Sequence, residues 1–250
     1  MGLAAVRCVG VLCALSVALA ALAAVTGEAW AEAPAIIAPA ADQSGAGSPE
    51  QFLLFSGVEL WRAGATAYGG LQWAPGGLDE DGLVARLLLS RNLDRHADSS
   101  TTIARVSALA GVRFKQGEFE LKLMAGPQFE SHDPTSPAAS LRGARLGLQA
   151  VAETWWEPMP ALMLASSWSA TTLGTGFGGR LAAGVRLFDL IWSGPELSAF
   201  TDEFSTQTRV GLHLTGLRWQ DLEWSAAAGY LRDSYQRNGA YGRVSVLVRR

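Results

Sequence analysis

Cysteine is almost absent: this 250-residue chain has two, Cys8 and Cys13, both close to the N-terminus. If the segment carrying them is removed on export, the mature chain has no thiol nucleophile, disulfide or cysteine-based metal site. Charge is also scarce. Only 17% of residues are charged, and Lys+Arg 20 against Asp+Glu 23 leaves a net charge of −3. No basic field exists to hold nucleic acid, so a nucleic-acid partner is not expected. The three histidines, His96, His132 and His213, stand far apart with no H-x-x-x-H or H-E-x-x-H spacing. That spacing supports neither a metal site nor a catalytic triad, so no cofactor, metal or catalytic residue is expected.

What the chain does have begins with an address. Arg7 precedes an apolar run from Cys8 to Val25, and Ala29-Trp30-Ala31 supplies the small residues a signal peptidase accepts. The expectation is a signal peptide over residues 1–31, cut after Ala31; the alternative is an uncleaved N-terminal membrane helix, because the run is long for a signal. Gly10-Val11-Leu12-Cys13 is a poor lipoprotein site, so no lipid anchor is expected. Residues 32–51, dominated by Ala, Pro, Gly and Ser without periodicity, are expected to form a flexible leader. Residues 52–250 form the remaining domain.

In that domain polarity alternates with period two. On one face of Glu118–Glu130 lie Phe119, Leu121, Leu123, Ala125 and Phe129; on the other lie Glu118, Glu120, Lys122, Gln128 and Glu130. A strand separates them in this way, whereas a helix would mix them. Ala104 to Phe114, Leu83 to Leu89, Ala144 to Ala152 and Leu181 to Leu187 repeat the design against Arg105, Arg113, Arg86, Arg145, Arg180 and Arg186. Clusters of Gly, Pro, Asp, Asn and Ser punctuate the segments, among them Pro75–Gly82, Pro158–Pro160, Asp189–Pro195 and Ser234–Gly239. Counting between such clusters predicts about twelve strands, an even number as in bacterial single-chain membrane barrels.

Alternating strands fit a soluble barrel or sandwich with apolar side chains inward, or a membrane barrel with apolar side chains outward. The export signal and apolar faces rich in Ala and Leu favour the second. So do Trp61, Trp73, Trp155, Trp156, Trp192, Trp219, Trp224 and Tyr230, which lie near segment ends as an interfacial girdle requires, although Trp168 sits within a segment. The terminal Val246-Leu247-Val248-Arg249-Arg250 lacks the final aromatic of many such barrels, yet Val244, Val246 and Val248 still alternate with Arg243, Ser245 and Arg249. The expected fold is therefore all-β: an antiparallel up-and-down barrel of outer-membrane type, in contact with outer-membrane lipid.

Motifs with a chemical meaning are weak. Gly174-Thr175-Gly176-Phe177-Gly178-Gly179 has the G-x-G-x-x-G spacing, but the residues after it alternate as a strand, whereas a phosphate cradle needs a helix there. A glycine-rich hairpin is expected instead. Asp79-Glu80-Asp81-Gly82 starts like a calcium loop but lacks the closing glutamate, and so reads as a polar turn. The lumen-facing polar set is expected to include Arg86, Arg105, Arg113, Lys115, Lys122, Arg145, Arg180, Arg186, Arg209 and Arg243, against Glu120, Glu130, Glu153 and Glu223. They could form a salt-bridged plug, or a lumen that guides a polar polymer.

The stretch Leu54-Phe55-Ser56-Gly57-Val58-Glu59-Leu60-Trp61-Arg62, followed by Ala67-Tyr68-Gly69-Gly70-Leu71-Gln72-Trp73-Ala74-Pro75-Gly76-Gly77-Leu78-Asp79, resembles the cellulose biosynthesis protein BcsS family. Trp156-Glu157-Pro158, Gly194-Pro195-Glu196, Glu223-Trp224-Ser225-Ala226 and Gly229-Tyr230 are similar to later blocks. The resemblance implies an exported barrel-like protein of bacterial cellulose production and supplies no catalytic residues. The expected role is a non-catalytic outer-membrane accessory of cellulose biosynthesis or export, with the cellulose synthase machinery or the glucan chain as possible partners. Alternatives are a small general pore, or an outer-membrane enzyme acting on lipid or polysaccharide.

Overall fold

The computed structural model describes residues 49–95, 99–136, 142–202 and 205–250. The expected signal peptide, most of the expected leader and His96 lie outside the described residues. Twelve strands follow one another: β1 (Phe52–Trp61), β2 (Gly64–Trp73), β3 (Gly82–Arg95), β4 (Ser100–Gln116), β5 (Phe119–Pro134), β6 (Gly143–Met159), β7 (Leu162–Thr171), β8 (Phe177–Leu187), β9 (Ile191–Thr201), β10 (Thr206–Trp219), β11 (Leu222–Asp233) and β12 (Gly239–Arg249). Each pairs antiparallel with its sequence neighbours, and β12 pairs with β1 from Leu53↔Arg249 to Trp61↔Tyr241, closing the barrel. Closure leaves no unpaired edge for backbone groups to expose.

Period-two alternation gives each wall two chemistries. Along β5, Glu120, Lys122, Met124, Gln128, Glu130 and His132 are buried inside, while Phe119, Leu123 and Phe129 are exposed outside. Strands β3, β4, β6, β8 and β10 follow the same rule. Outside, Leu83, Phe114, Leu146, Leu148, Val185, Val210 and Leu212 are all more than half exposed. Such a surface would be costly in water and suits hydrocarbon.

One mouth holds the start of β1, the end of β12 and the turns 117–118, 160–161, 188–190 and 220–221, together with the longer segment 74–81; it is called the terminal mouth below. The other, the loop mouth, holds the opposite strand ends and, among the described connections, 62–63, 172–176 and 234–238. Phe188 and Asp189, both at positive φ (55° and 56°), make the tight β8–β9 turn. A bulge shifts the β10–β11 register between Thr215 and Leu217, and Gly216 supplies the φ of 88° it requires. In the stretch Gly174 to Gly179, Gly174 and Thr175 end a 3-10 turn, Leu173–Thr175, and Phe177 to Gly179 open β8, so no α-helix follows the glycines.

Three expectations need correction. The turn after β8 ends at Leu190, and Pro195 lies inside β9. Proline has no N–H to donate, and the β8–β9 ladder accommodates this by skipping from Ala182↔Glu196 to Val185↔Ser193. The girdle is also composed differently. Trp61, Trp155 and Trp192 point inward and are buried, whereas Trp168 lies outside and stacks on Phe177 with ring centroids 6.0 Å apart. The outward aromatics at the terminal mouth are Phe52, Trp73, Phe114, Phe119, Trp156, Phe188 and Trp219. Finally, Lys115 is exposed at the terminal rim rather than inside.

Candidate functional site

The lumen is filled by paired polar side chains resting on apolar clusters. Near the terminal mouth, Leu53, Phe55, Tyr68, Ala74, Leu78 and Leu247 pack together, and Trp155, Met163, Ala165 and Trp192 form a second group. Val84, Leu109, Met124 and Val151 form a third group on the β3–β6 wall. Burying aliphatic side chains here gives the lumen a packed floor instead of an open bore.

Charged residues meet above this floor. Arg86 donates from Nη1 and Nη2 to Glu153 at 2.6 and 2.7 Å, and from Nε and Nη2 to Gln72 Oε1 at 3.2 and 2.7 Å. Lys122 pairs with Glu120 at 2.5 Å. Across the lumen, Glu196 accepts from Arg180 Nη2 at 2.6 Å, Arg243 Nη2 at 2.7 Å and the Tyr241 hydroxyl at 2.8 Å. Glu59 pairs with Arg209, and Arg243 Nη1 is 3.9 Å from it. The Arg209 guanidinium also lies over the Trp61 and Tyr241 rings, 5.4 and 5.9 Å from their centroids. A buried charge is tolerated when its partner and its remaining hydrogen-bonding capacity are supplied in this way.

The terminal mouth is closed by segment 74–81. Leu78 is buried in the lumen, and Arg113 donates to the carbonyls of Leu78, Gly77 (3.0 Å) and Glu80 (2.7 and 2.9 Å). Asp79 lies 3.6 Å from Arg249, and Asp81 accepts from the Lys115 backbone N–H. Residues 49–51 join this closure: Leu78 N–H donates to Glu50 O at 2.6 Å and Ala74 N–H to Gln51 O at 2.9 Å. Beside it, Arg186 pairs with Glu157 at 3.2 Å and covers Trp192, 4.4 Å from the ring centroid. Glu223, also buried at this end, faces Arg218 at 3.5 Å.

The loop mouth opens into a recess bounded by Arg105, Gln128, Glu130, His132, Arg145, Gln149 and Phe200. Glu130 is its hub, paired with Arg105, His132 and, at 2.9 Å, Arg145. Arg105 Nη1 and Gln149 Oε1 are enclosed without a hydrogen-bond partner among the described residues. At the rim, Arg237 bridges Asp94 (2.5 Å) and Asp233 (2.7 Å). Burial pulls its guanidinium down, but the hydrogen bond and charge of Asp94, then those of Asp233, outweigh it and hold its pKa above that of an ordinary arginine.

His132 serves Glu130, while His213 accepts from the Thr215 hydroxyl at Nδ1 and donates from Nε2 to the Ala183 carbonyl, both at 3.2 Å. Among the described residues no group of three His, Cys, Asp or Glu is placed to hold a metal ion. Sequence reasoning missed Glu59 and Glu196, the two acceptors of the largest network. Glu59 has the inward parity of β1, which alone could have found it. Glu196 follows Pro195 and was hidden by reading that proline as part of a turn.

Comparison with curated proteins returns no match. Several solved structures share the barrel shape. A KdgM porin is 12% identical, with 78% of this chain and 98% of that chain covered and a TM-score of 0.45. The translocator domain of the autotransporter NalP from Neisseria meningitidis is 16% identical, with 84% and 90% covered and a TM-score of 0.46. LpxR from Salmonella typhimurium is 9% identical, with 78% and 99% covered and a TM-score of 0.47. At that level of likeness nothing about this chain's function follows. A family model for cellulose biosynthesis protein BcsS, by contrast, matches residues 53–250, from the second residue of β1 to the last residue of the chain. The chain belongs to the cellulose biosynthesis protein BcsS family.

Proposed function

We propose that this protein is a non-catalytic outer-membrane accessory of cellulose production, acting as a scaffold or exit-site component whose own lumen stays shut. The observation that carries this reading is the contrast across the wall: apolar side chains outside, and inside a lumen packed and ion-paired from the 74–81 closure up to the Glu196 network. A conduit for a glucan would need a continuous bore in that place.

The outer surface supports the membrane half. Phe119 at one end of β5 and Phe129 near the other stand ten residues apart. At about 3.3 Å per residue and a tilt of about 40°, that separation is about 25 Å along the barrel axis, the height of an outer-membrane apolar band. Aromatics border both edges, with Phe52, Trp73, Trp156 and Trp219 at the terminal mouth, and Phe129, Trp168, Phe177 and Tyr230 towards the loop mouth. The short turns at the terminal mouth favour the periplasmic side for that end and the cell exterior for the recess.

Fractionation of cells expressing the full chain, paired with a cellulose stain of a deletion strain, tests the proposal. Recovery with the outer membrane and reduced or disordered surface cellulose are expected. A soluble periplasmic product, or unchanged cellulose after deletion, would overturn it. Planar bilayers separate it from the pore reading, because the purified barrel should be electrically silent.

A further inference from the structure

The outer rim of the loop mouth carries arginines where a lipid-facing wall should be apolar. Arg91 lies on the outward face of β3, two residues beyond exposed Leu89 and paired across the ladder with Ala67 and Ala104. Arg232 is likewise outward and exposed on β11, two residues beyond exposed Tyr230 and next to the strand's last residue. Arg95 ends β3 and Arg62 forms the β1–β2 turn, both exposed. These four belong to one sector, because β11, β12, β1, β2 and β3 are consecutive in the barrel. Two of them touch the β11–β12 connection: Arg62 Nη1 donates to Asn238 O at 3.4 Å, and Arg237 Nη1 donates to Arg95 O at 2.9 Å.

Among the described residues no ion pair cancels the charge of Arg91, Arg95 or Arg232. Asp94 and Asp233 face inward and are both engaged by Arg237. Most arginines of the lumen, by contrast, are paired with a carboxylate. An arginine on the lipid face is costly at the bilayer midplane and nearly neutral at the interface, where its guanidinium reaches the headgroups. Guanidinium groups bind phosphate oxygens in bidentate, charge-assisted fashion, so four of them along one edge match a polyanionic headgroup better than a zwitterionic one.

We infer that the rim formed by Arg62, Arg91, Arg95 and Arg232 is a binding site for the phosphate groups of a glycolipid in the outer leaflet, of the lipid A type. This rests on the outer-membrane reading and on the terminal mouth facing the periplasm. Bound there, the lipid neutralises the outward arginines and fixes the rotation and depth of the barrel, leaving the recess beside Glu130 facing away from the bilayer.

The test titrates the full-length barrel, purified in a neutral detergent, with lipid A and with its dephosphorylated counterpart, following bound lipid by native mass spectrometry. Lipid A should bind about tenfold more tightly than the dephosphorylated lipid. The double variant R91Q/R232Q should erase that preference, and R91K/R232K should keep part of it. Folding of each variant is checked by the heat-dependent shift in gel mobility that folded barrels show. Equal binding of the two lipids by the native chain, an unchanged preference in the folded R91Q/R232Q variant, or displacement of lipid A by inorganic phosphate at equal concentration would overturn the inference. This titration does not depend on where cells place the chain. Its failure therefore leaves the fractionation result standing, and a failed fractionation leaves the measured lipid preference intact.

Discussion

At the terminal mouth, segment 74–81 lies across the lumen with Leu78 buried and Arg113 holding the carbonyls of Gly77, Leu78 and Glu80. At the loop mouth, Arg105, Arg145 and His132 share one carboxylate, Glu130, around an open recess, and Arg105 Nη1 has no hydrogen-bond partner among the described residues. One arginine therefore meets neutral backbone acceptors and fastens a closure, while the other competes for a single acid and keeps donor capacity in reserve. The same residue type does opposite work because the number of acceptors within reach differs. Between the mouths stands the Glu196 network, the partition that keeps them distinct.

The comparison breaks most severely if that partition is removed. Glu196→Ala strands Arg180 and the Tyr241 hydroxyl in a buried site and leaves Arg243 only Glu59, 3.9 Å away, and a loss of about 3–5 kcal/mol is expected for an unpaired buried charge. A fall in the temperature at which the barrel loses its folded gel mobility measures it; an unchanged temperature would mean that the two mouths are independent without a partition. Next comes the closure itself. Arg113→Ala should cost about 1–3 kcal/mol through the unpaired carbonyls it leaves, and should turn a silent barrel into one with intermittent conductance in planar bilayers. A silent R113A barrel of native stability would show that Leu78 and the neighbouring backbone suffice to close the mouth.

The recess end should respond less. Arg105→Gln leaves Glu130 with Arg145 and His132, so about 1 kcal/mol is expected, with no conductance. A larger loss than that of R113A would reverse the contrast between the ends. The smallest effect belongs to the outer belt. Trp219→Ala removes one of several interfacial rings and should change stability by less than about 1 kcal/mol. It should shift the depth of the barrel in the bilayer, seen as altered quenching of the remaining tryptophans by depth-resolved lipid probes.

Strand-level features were legible because they depend on local alternation. The faces of β3 to β6, and hence the inward direction of Arg86, Arg105, Arg113, Glu120, Lys122, Glu130, Arg145 and Glu153, follow from parity alone. Single tryptophans were not legible in this way. Trp61, Trp155 and Trp192 lie near strand ends as girdle residues do, yet their parity turns them inward, where Arg209 and Arg186 lie over two of the rings. Proximity to a turn is a weaker guide than the face a residue occupies. Pro195 misled for a related reason, because a proline inside a strand is tolerated where the ladder on one side is already interrupted. Asp79 to Gly82 is polar, as expected of a turn, but its buried neighbour Leu78 draws the segment into the mouth.

By itself the sequence determined an all-β chain with an even count of strands, one apolar and one charged face, and membership of the BcsS family, since each is a local or linear property. Only the tertiary structure decided which acid meets which arginine. Arg86 reaches Glu153 three strands away, Arg113 reaches the β2–β3 segment, and Arg180 and Arg243 meet at Glu196 from strands four apart. Those pairings exist because curling the sheet into a barrel brings strands three or four apart within a side chain's length, and that distance is set by strand number and tilt rather than by any residue.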